Sequence, residues 1–218
     1  MKQTTSVPQE EYHTIRFQYD ARRARVWRVL ARYLQPWVDE QQSLLELGAG
    51  YGEFTREIRA AAKWAIEQNP ALAEHWDPSV KGVFQSALDP WPIPESSIGT
   101  VFASNFFEHF TLEQDAEILI QARRALRPGG RLIAVQPNFR LEPRRYFDDY
   151  THRTPFTDNG FQDFLRALGW RIVHAEPRFM PFTMKSRMPT AEWLVSLYLA
   201  LPYRPLAGQF LVIAESTG

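Results

Sequence analysis

Apolar positions along the chain alternate between short continuous runs and longer stretches in which they recur every three or four residues. Runs of the first kind, bounded by Gly, Pro, Asn or Asp, read as strands, and stretches of the second kind as helices with one apolar face. Residues from about 18 to 38 carry Val26, Trp27, Val29, Leu30, Tyr33 and Leu34 among several arginines, the pattern of an amphipathic helix. Ser43 to Leu47 predicts a strand that ends in a glycine turn, and Phe54 to Ala61 a helix behind it. Trp64 to Glu67, Gly82 to Gln85 and Thr100 to Asn105 predict three further strands. Leu112 to Leu126 has helical period and stops at Arg127-Pro128-Gly129-Gly130, with a strand over Arg131 to Val135 directly after. Phe161 to Leu168 predicts a helix ended by Gly169, and Trp170 to Ala175 and Phe210 to Ala214 two closing strands. Strands alternating with helices predict an α/β fold with a doubly wound, largely parallel sheet.

Composition narrows the functions this fold can serve. Twenty-five basic side chains balance 25 acidic ones, so no global field gathers nucleic acid or an anionic membrane, and a small or neutral partner is expected. Met1 to Gln9 lacks the apolar core of a signal peptide, and no stretch reaches the roughly 20 unbroken apolar residues of a membrane span. The expected compartment is the cytoplasm. Zero cysteines exclude disulfides, thiolate metal sites and a cysteine nucleophile. The five histidines, at 13, 75, 109, 152 and 174, show no close ligand spacing, and no metal is expected. Trp193 to Leu201 is apolar all round, which leaves burial, an oligomer contact and a peripheral lipid contact open.

In an open parallel sheet the ligand lies beyond the carboxyl ends of the strands, and the loop after the first strand is the usual cradle. Glu46-Leu47-Gly48-Ala49-Gly50-Tyr51-Gly52 occupies that place. A dinucleotide fingerprint wants glycine at position 53, where the chain has Glu53. Carboxylates at 46 and 53 sit badly beside a pyrophosphate, which disfavours a nicotinamide oxidoreductase. They suit a ligand without phosphate and with positive charge, and S-adenosylmethionine carries an ammonium and a sulfonium. Glu67 closes the second strand 21 residues after Glu46, where a carboxylate can accept from both ribose hydroxyls of a nucleoside.

Four stretches then carry a family likeness: Leu44 to Phe54, Ala65-Ile66-Glu67, Val101 to His109, and Leu126 to Leu132. With them the chain resembles the class I S-adenosylmethionine-dependent methyltransferases over their whole core, from Leu44 to about Ala214. The resemblance implies a seven-stranded Rossmann-like sheet of order 3-2-1-4-5-7-6 with strand seven antiparallel. It implies that Glu46, Gly48, Ala49, Gly50 and Tyr51 line the methionine portion of the donor and that Glu67 and Gln68 lie at the ribose. Ser86, Ala87 and Leu88 would frame the adenine, and Asn105 with Phe106 would close the pocket. Many relatives have an aspartate after strand three where this chain has Ser86, so backbone atoms or Ser86 itself must meet the adenine amino group. The expected organisation is a single domain over 1–218, with a helical cap at 1–42, a core at 43–218 and an acceptor-side insertion at about 138–160.

A second likeness, over Tyr146 to Arg153 and Pro181 to Ser186, is to bacterial methyltransferases of polysaccharide and glycolipid biosynthesis, and implies a sugar or lipid-linked acceptor. Methyl transfer from a sulfonium is an in-line displacement, for which holding acceptor and methyl close and dry is the main task. A hydroxyl acceptor must also lose a proton, and His109 or His152, with Tyr150 as companion, is placed to take it. Either histidine can equally be a helix-start or loop residue. Arg22 or Arg23 would reach the methionine carboxylate if the first helix closes over the donor, whereas a helix packed on the sheet would leave them in solvent. Arg140, Arg144, Arg145 and Arg153 offer phosphate contacts or pair with Glu142, Asp148 and Asp149. The expected function is methylation of an oxygen on a small molecule or glycan precursor; the alternative is a non-catalytic module that binds S-adenosylmethionine.

Overall fold

The structure, a computed structural model, describes residues 18–181 and 190–217. His13 and most of the Pro181 to Ser186 stretch lie outside the described residues. Seven strands, β1 (Ser43–Leu47), β2 (Ala62–Glu67), β3 (Val80–Phe84), β4 (Ile98–Ser104), β5 (Leu126–Pro137), β6 (Trp170–Glu176) and β7 (Gln209–Ser216), form one sheet. Its order is β3-β2-β1-β4-β5-β7-β6. The first five strands are parallel, and β7 runs antiparallel to both β5 and β6. Order and direction are those the sequence implied. β1 keeps its predicted bounds, β3 and β4 begin two residues earlier and end one earlier, and the other strands are longer; β5 begins at Leu126, the end of the expected helix, because Leu126 already pairs with Ile98.

Side chains of a strand alternate between faces, and each face of this sheet has its own core. Leu45, Leu47, Val101, Ala103, Leu132, Ala134, Val212 and Ala214 face α3 (Leu112–Ala125) and α4 (Asp158–Ala167) through Ile118, Leu119, Phe161 and Leu165. Leu44, Phe102, Ile133, Val135, Leu211 and Ile213 face the opposite layer of α1 (Ala21–Leu34), α2 (Glu53–Glu57) and α5 (Glu192–Ala200). Phe54 stacks on Phe102 with ring centres 3.7 Å apart, and Trp27 meets both edge-on.

Local chemistry sets the helix ends. Asp20 caps α1 by accepting from the Arg22 amide, and Pro36 turns the chain into a single 3-10 turn after Leu34. Thr111 and Gln114 form a reciprocal capping box on α3. The helix expected from Phe54 to Ala61 is shorter: Ile58 is extended and buried, and the Ala61 amide bonds to the Gln42 carbonyl instead. The all-apolar stretch at 193–201 lies in α5, with Val195 and Leu199 in the core while Trp193 and Leu197 remain 68% and 55% exposed. Among the described residues no helix is long and apolar enough to cross a membrane.

Candidate active site

The loop after β1 is held from two sides by aromatic rings. Gly48 (φ +62) and Gly52 (φ +67) adopt left-handed backbone, which only glycine takes without strain. A Cβ on Gly48 would stand 2.7 Å from Phe106 Cδ2, and one on Gly52 2.6 Å from Trp76 Cδ1. Trp76 also donates its indole N–H to the Gly50 carbonyl at 2.8 Å. Ala49 and Tyr51 are buried, and Tyr51 meets the edges of Tyr19 and His75, themselves stacked 4.5 Å apart. Trp76, Tyr19 and His75 were not read from the sequence, because a lone aromatic far from the loop carries no spacing signal.

Three carboxyls surround this loop and differ in what they meet. Glu53 is matched by Arg23, whose Nη2 lies 2.6 Å from Glu53 Oε1. Glu46 is buried and accepts from the Thr55 amide at 3.2 Å; burial, with Glu53 nearby, raises its carboxyl well above the usual range. Glu67 accepts from the Gly50 amide at 2.9 Å through Oε2 and from the Asn69 amide at 2.9 Å through Oε1, which leaves each oxygen a lone pair. Of the two carboxylates taken to favour a cationic ligand, Glu53 thus answers an internal arginine and Glu46 remains. Arg22 bonds to Asp20. Neither arginine is shown reaching a ligand. Glu67→Ala is expected to weaken S-adenosylmethionine binding by about 1–3 kcal/mol, as a calorimetric titration would show; an unchanged dissociation constant would remove Glu67 from the ribose.

Beyond β3, the Ser86 hydroxyl accepts from the Leu88 amide at 3.2 Å, and the Ala87 carbonyl accepts from Trp91 Nε1 at 2.9 Å and Gln121 Nε2 at 3.3 Å. The Ser86 O–H proton is therefore not used in the bond to Leu88. Gln68 is exposed beside Glu67. Asn105 takes a left-handed conformation (φ +48) that asparagine tolerates, with its N–H on the Val135 carbonyl and its Oδ1 accepting from Gln209. The Phe106 amide donates to Gln136 Oε1, and its buried ring covers Gly48.

Directly after this hinge, a 3-10 turn over Phe107–His109 brings His109 beside His152, 43 positions later in the chain, with ring centres 5.1 Å apart. Both Nε2 atoms lie 3.9 Å from Glu108 Oε1. The loop of His152 is tied to this turn through the backbone, since the Arg153 and Thr154 amides both donate to the Glu108 carbonyl. Burial, with His152 adding to it, lowers the His109 imidazole to about 4, and burial raises the Glu108 carboxyl well above its usual range. Tyr146, 4.8 Å from His152 ring to ring, is the fully buried aromatic of this cluster, whereas Tyr150 is 58% exposed. Arg140 pairs with Asp158, an acid outside the set considered from sequence. Glu108 was missed because one glutamate before a histidine carries no signal until the fold buries it.

Burial also raises the Asp115 carboxyl from 3.8 to about 8. An acid whose folded value lies above its unfolded one keeps its proton only in the folded state, so stability falls as pH rises from about 4 to about 8. Asp115→Asn is expected to gain about 2 kcal/mol over the parent at pH about 8 and nothing near pH 4 in thermal melts. A gain independent of pH would contradict this.

Residues 45–134 match the model described as a methyltransferase domain. A search of curated proteins gives no sequence match. Among solved structures, the chain is similar to an S-adenosylmethionine-dependent methyltransferase from Archaeoglobus fulgidus, with TM-score 0.68 and 18% identity over 97% of this chain and 100% of that one. It is similar to one from Mesorhizobium loti at TM-score 0.63 and 16% identity, covering 84% and 96% of the two chains. A third, from Methanosarcina mazei, superposes at TM-score 0.62 and 16% identity with the same shares, 84% and 96%. The methyltransferase-domain match over residues 45–134 and a fold shared with S-adenosylmethionine-dependent methyltransferases agree with each other. The residues present fit S-adenosylmethionine as donor: Glu46 lacks a basic hydrogen-bond partner, and Glu67 keeps two lone pairs for a diol.

Proposed function

We propose that the chain methylates an oxygen atom of a small molecule or of a glycan or lipid-linked precursor. The observation that carries this reading is the pairing of His109 and His152 around Glu108, immediately beyond the Asn105–Phe106 hinge that packs on the donor loop. Bound S-adenosylmethionine would supply an electrophilic methyl group. Glu46, Gly48, Ala49, Gly50, Tyr51, Glu67, Gln68, Ser86, Ala87, Leu88, Asn105 and Phe106 are assigned to holding it.

An acceptor hydroxyl has to give up its proton to a group that is unprotonated at working pH. His109 satisfies this, because its lowered value keeps the ring uncharged near neutrality. Its Nδ1 lies 2.9 Å from the Thr151 hydroxyl, which in turn donates to Asp149 Oδ1 at 2.6 Å. That hydroxyl proton serves Asp149, so His109 Nδ1 carries its own proton and Nε2 is the basic nitrogen. His152 stands across from it as second base, and Tyr150 at the rim is assigned to the acceptor. Residues 138–160 are assigned as the acceptor-side segment of a single domain, and the described part of the expected cap, 18–42, carries α1. The methyltransferase-domain match stops at residue 134, before this segment, so acceptor identity rests on the cluster alone.

The test is a transfer assay with isotopically labelled methyl donor against hydroxyl acceptors, sugars and lipid-linked glycans, with amines in parallel. Label in a base-stable methyl ether or an ester supports the reading. Transfer confined to nitrogen or carbon overturns it.

A further inference from the structure

Glu108, His109 and His152 each offer one ligand atom, and these atoms all lie within 4.8 Å of one another. We propose that they form a binding site for a divalent transition-metal ion of the zinc type. Two imidazole nitrogens and one carboxylate oxygen, with a fourth position left open, are the donor set of catalytic zinc. Ligand atoms bound tetrahedrally at about 2.0–2.1 Å stand about 3.4 Å apart. The 3.9 Å separations from Glu108 Oε1 to both Nε2 atoms therefore need only small side-chain rotations to close on an ion.

Three further observations point to a cation at this place. The Glu108 side chain is fully buried, and neither of its oxygens has a hydrogen bond, an arrangement that costs about 1–3 kcal/mol or more unless a positive ligand relieves it. Asp115, equally buried and without hydrogen bonds on its carboxyl, is held protonated near neutrality by that burial, and a cation close by would draw it toward its ionised form. His109 is oriented for such a role: the chain Asp149, Thr151, His109 Nδ1 holds the ring with Nε2 3.9 Å from Glu108 Oε1. Such outer hydrogen bonds orient metal-binding histidines generally. The 43-residue separation of the two histidines explains why sequence spacing gave no metal signal.

With both Nε2 lone pairs on the ion neither histidine would act as the base; a metal ion here would instead bind an acceptor hydroxyl and ease its ionisation, the O–H bonding pair staying on oxygen and the proton leaving to water. That role rests on the oxygen-acceptor reading above; the binding of metal does not.

The full chain, stripped with a chelator and free of any affinity tag, is titrated with Zn²⁺ by calorimetry and with Co²⁺ by visible absorption, with Mg²⁺ as the hard-cation control. The expected result is about one Zn²⁺ or Co²⁺ per chain, an intense tetrahedral Co²⁺ band that Zn²⁺ bleaches, and no saturable Mg²⁺ binding at equal concentration. Glu108→Gln keeps the side-chain volume and is expected to lower Zn²⁺ affinity about 100-fold or more, with His174→Ala leaving it unchanged. Thr151→Val, which removes the hydrogen bond to His109 Nδ1 without altering a ligand atom, is expected to lower it about 10- to 100-fold through the orientation of His109. Absence of saturable Zn²⁺ and Co²⁺ binding by the parent chain, or binding that neither Glu108→Gln nor Thr151→Val weakens, overturns the site. Because no donor or acceptor enters the titration, methyl transfer to nitrogen by a metal-loaded protein would sink the acceptor reading alone.

Discussion

His152→Ala is expected to lower methyl-transfer turnover by about 100-fold or more while the dissociation constant for S-adenosylmethionine stays within about a factor of two. His152 is held by position: its ring lies against His109 and Tyr146, its Nε2 faces Glu108, and its side chain is only 8% exposed. The Gly50–Glu67 hydrogen bond and the Phe106 ring over Gly48 do not involve His152, so truncating it leaves them in place. A buried ring cannot be removed without leaving a hole, so the same measurement on His152→Asn and a thermal melt of both variants separate chemistry from packing. Turnover at the parent level with a competent acceptor would mean that His152 has no catalytic task.

Gly48→Ala is expected to cost about 2–4 kcal/mol of folding stability and to abolish measurable donor binding at concentrations that saturate the parent. The left-handed backbone at φ +62 penalises any Cβ by about 1–2 kcal/mol. The added carbon would also stand 2.7 Å from the Phe106 ring, closer than two carbon atoms approach. Phe106 has little room to yield, because its amide is fixed on Gln136 and its ring packs on Phe107 and Phe110. Either the hinge after β4 or the loop after β1 must shift, and both are assigned to the donor. A Gly48→Ala protein with parental melting temperature and donor affinity would show that the loop geometry is not required.

The residues assigned to the donor were readable from the sequence because they are local. Glu46 to Gly52 needs only a strand, a tight turn and a helix in succession, and Glu67 ends the neighbouring strand in register with that turn, as the Gly50–Glu67 bond shows. The charge argument placed Glu46 and Glu53 at the loop; the structure pairs Glu53 with Arg23 and leaves Glu46 without a basic hydrogen-bond partner. Which carboxyl faces a ligand depends on Arg23, 30 residues away on a helix whose docking angle no periodicity encodes. Likewise the amphipathic stripe of α1 was plain, but its burial against Leu44, Phe102 and Ile133 in the sheet layer is a result of packing.

The sequence by itself determined the order of strands and helices, and its glycine loop with Glu46 and Glu67 set the expectation of a sulfonium methyl donor. These follow from hydrophobic period, turn chemistry and charge, all of which act over a few residues. Only the tertiary structure decided what becomes of the remaining polar groups. It sealed Glu108 away from water, drew His152 to His109 across 43 residues, and left Tyr150 at the surface while Tyr146 was buried. The physical reason is that burial, and with it the basicity and ligand strength of a side chain, is set by neighbours that are distant in the chain.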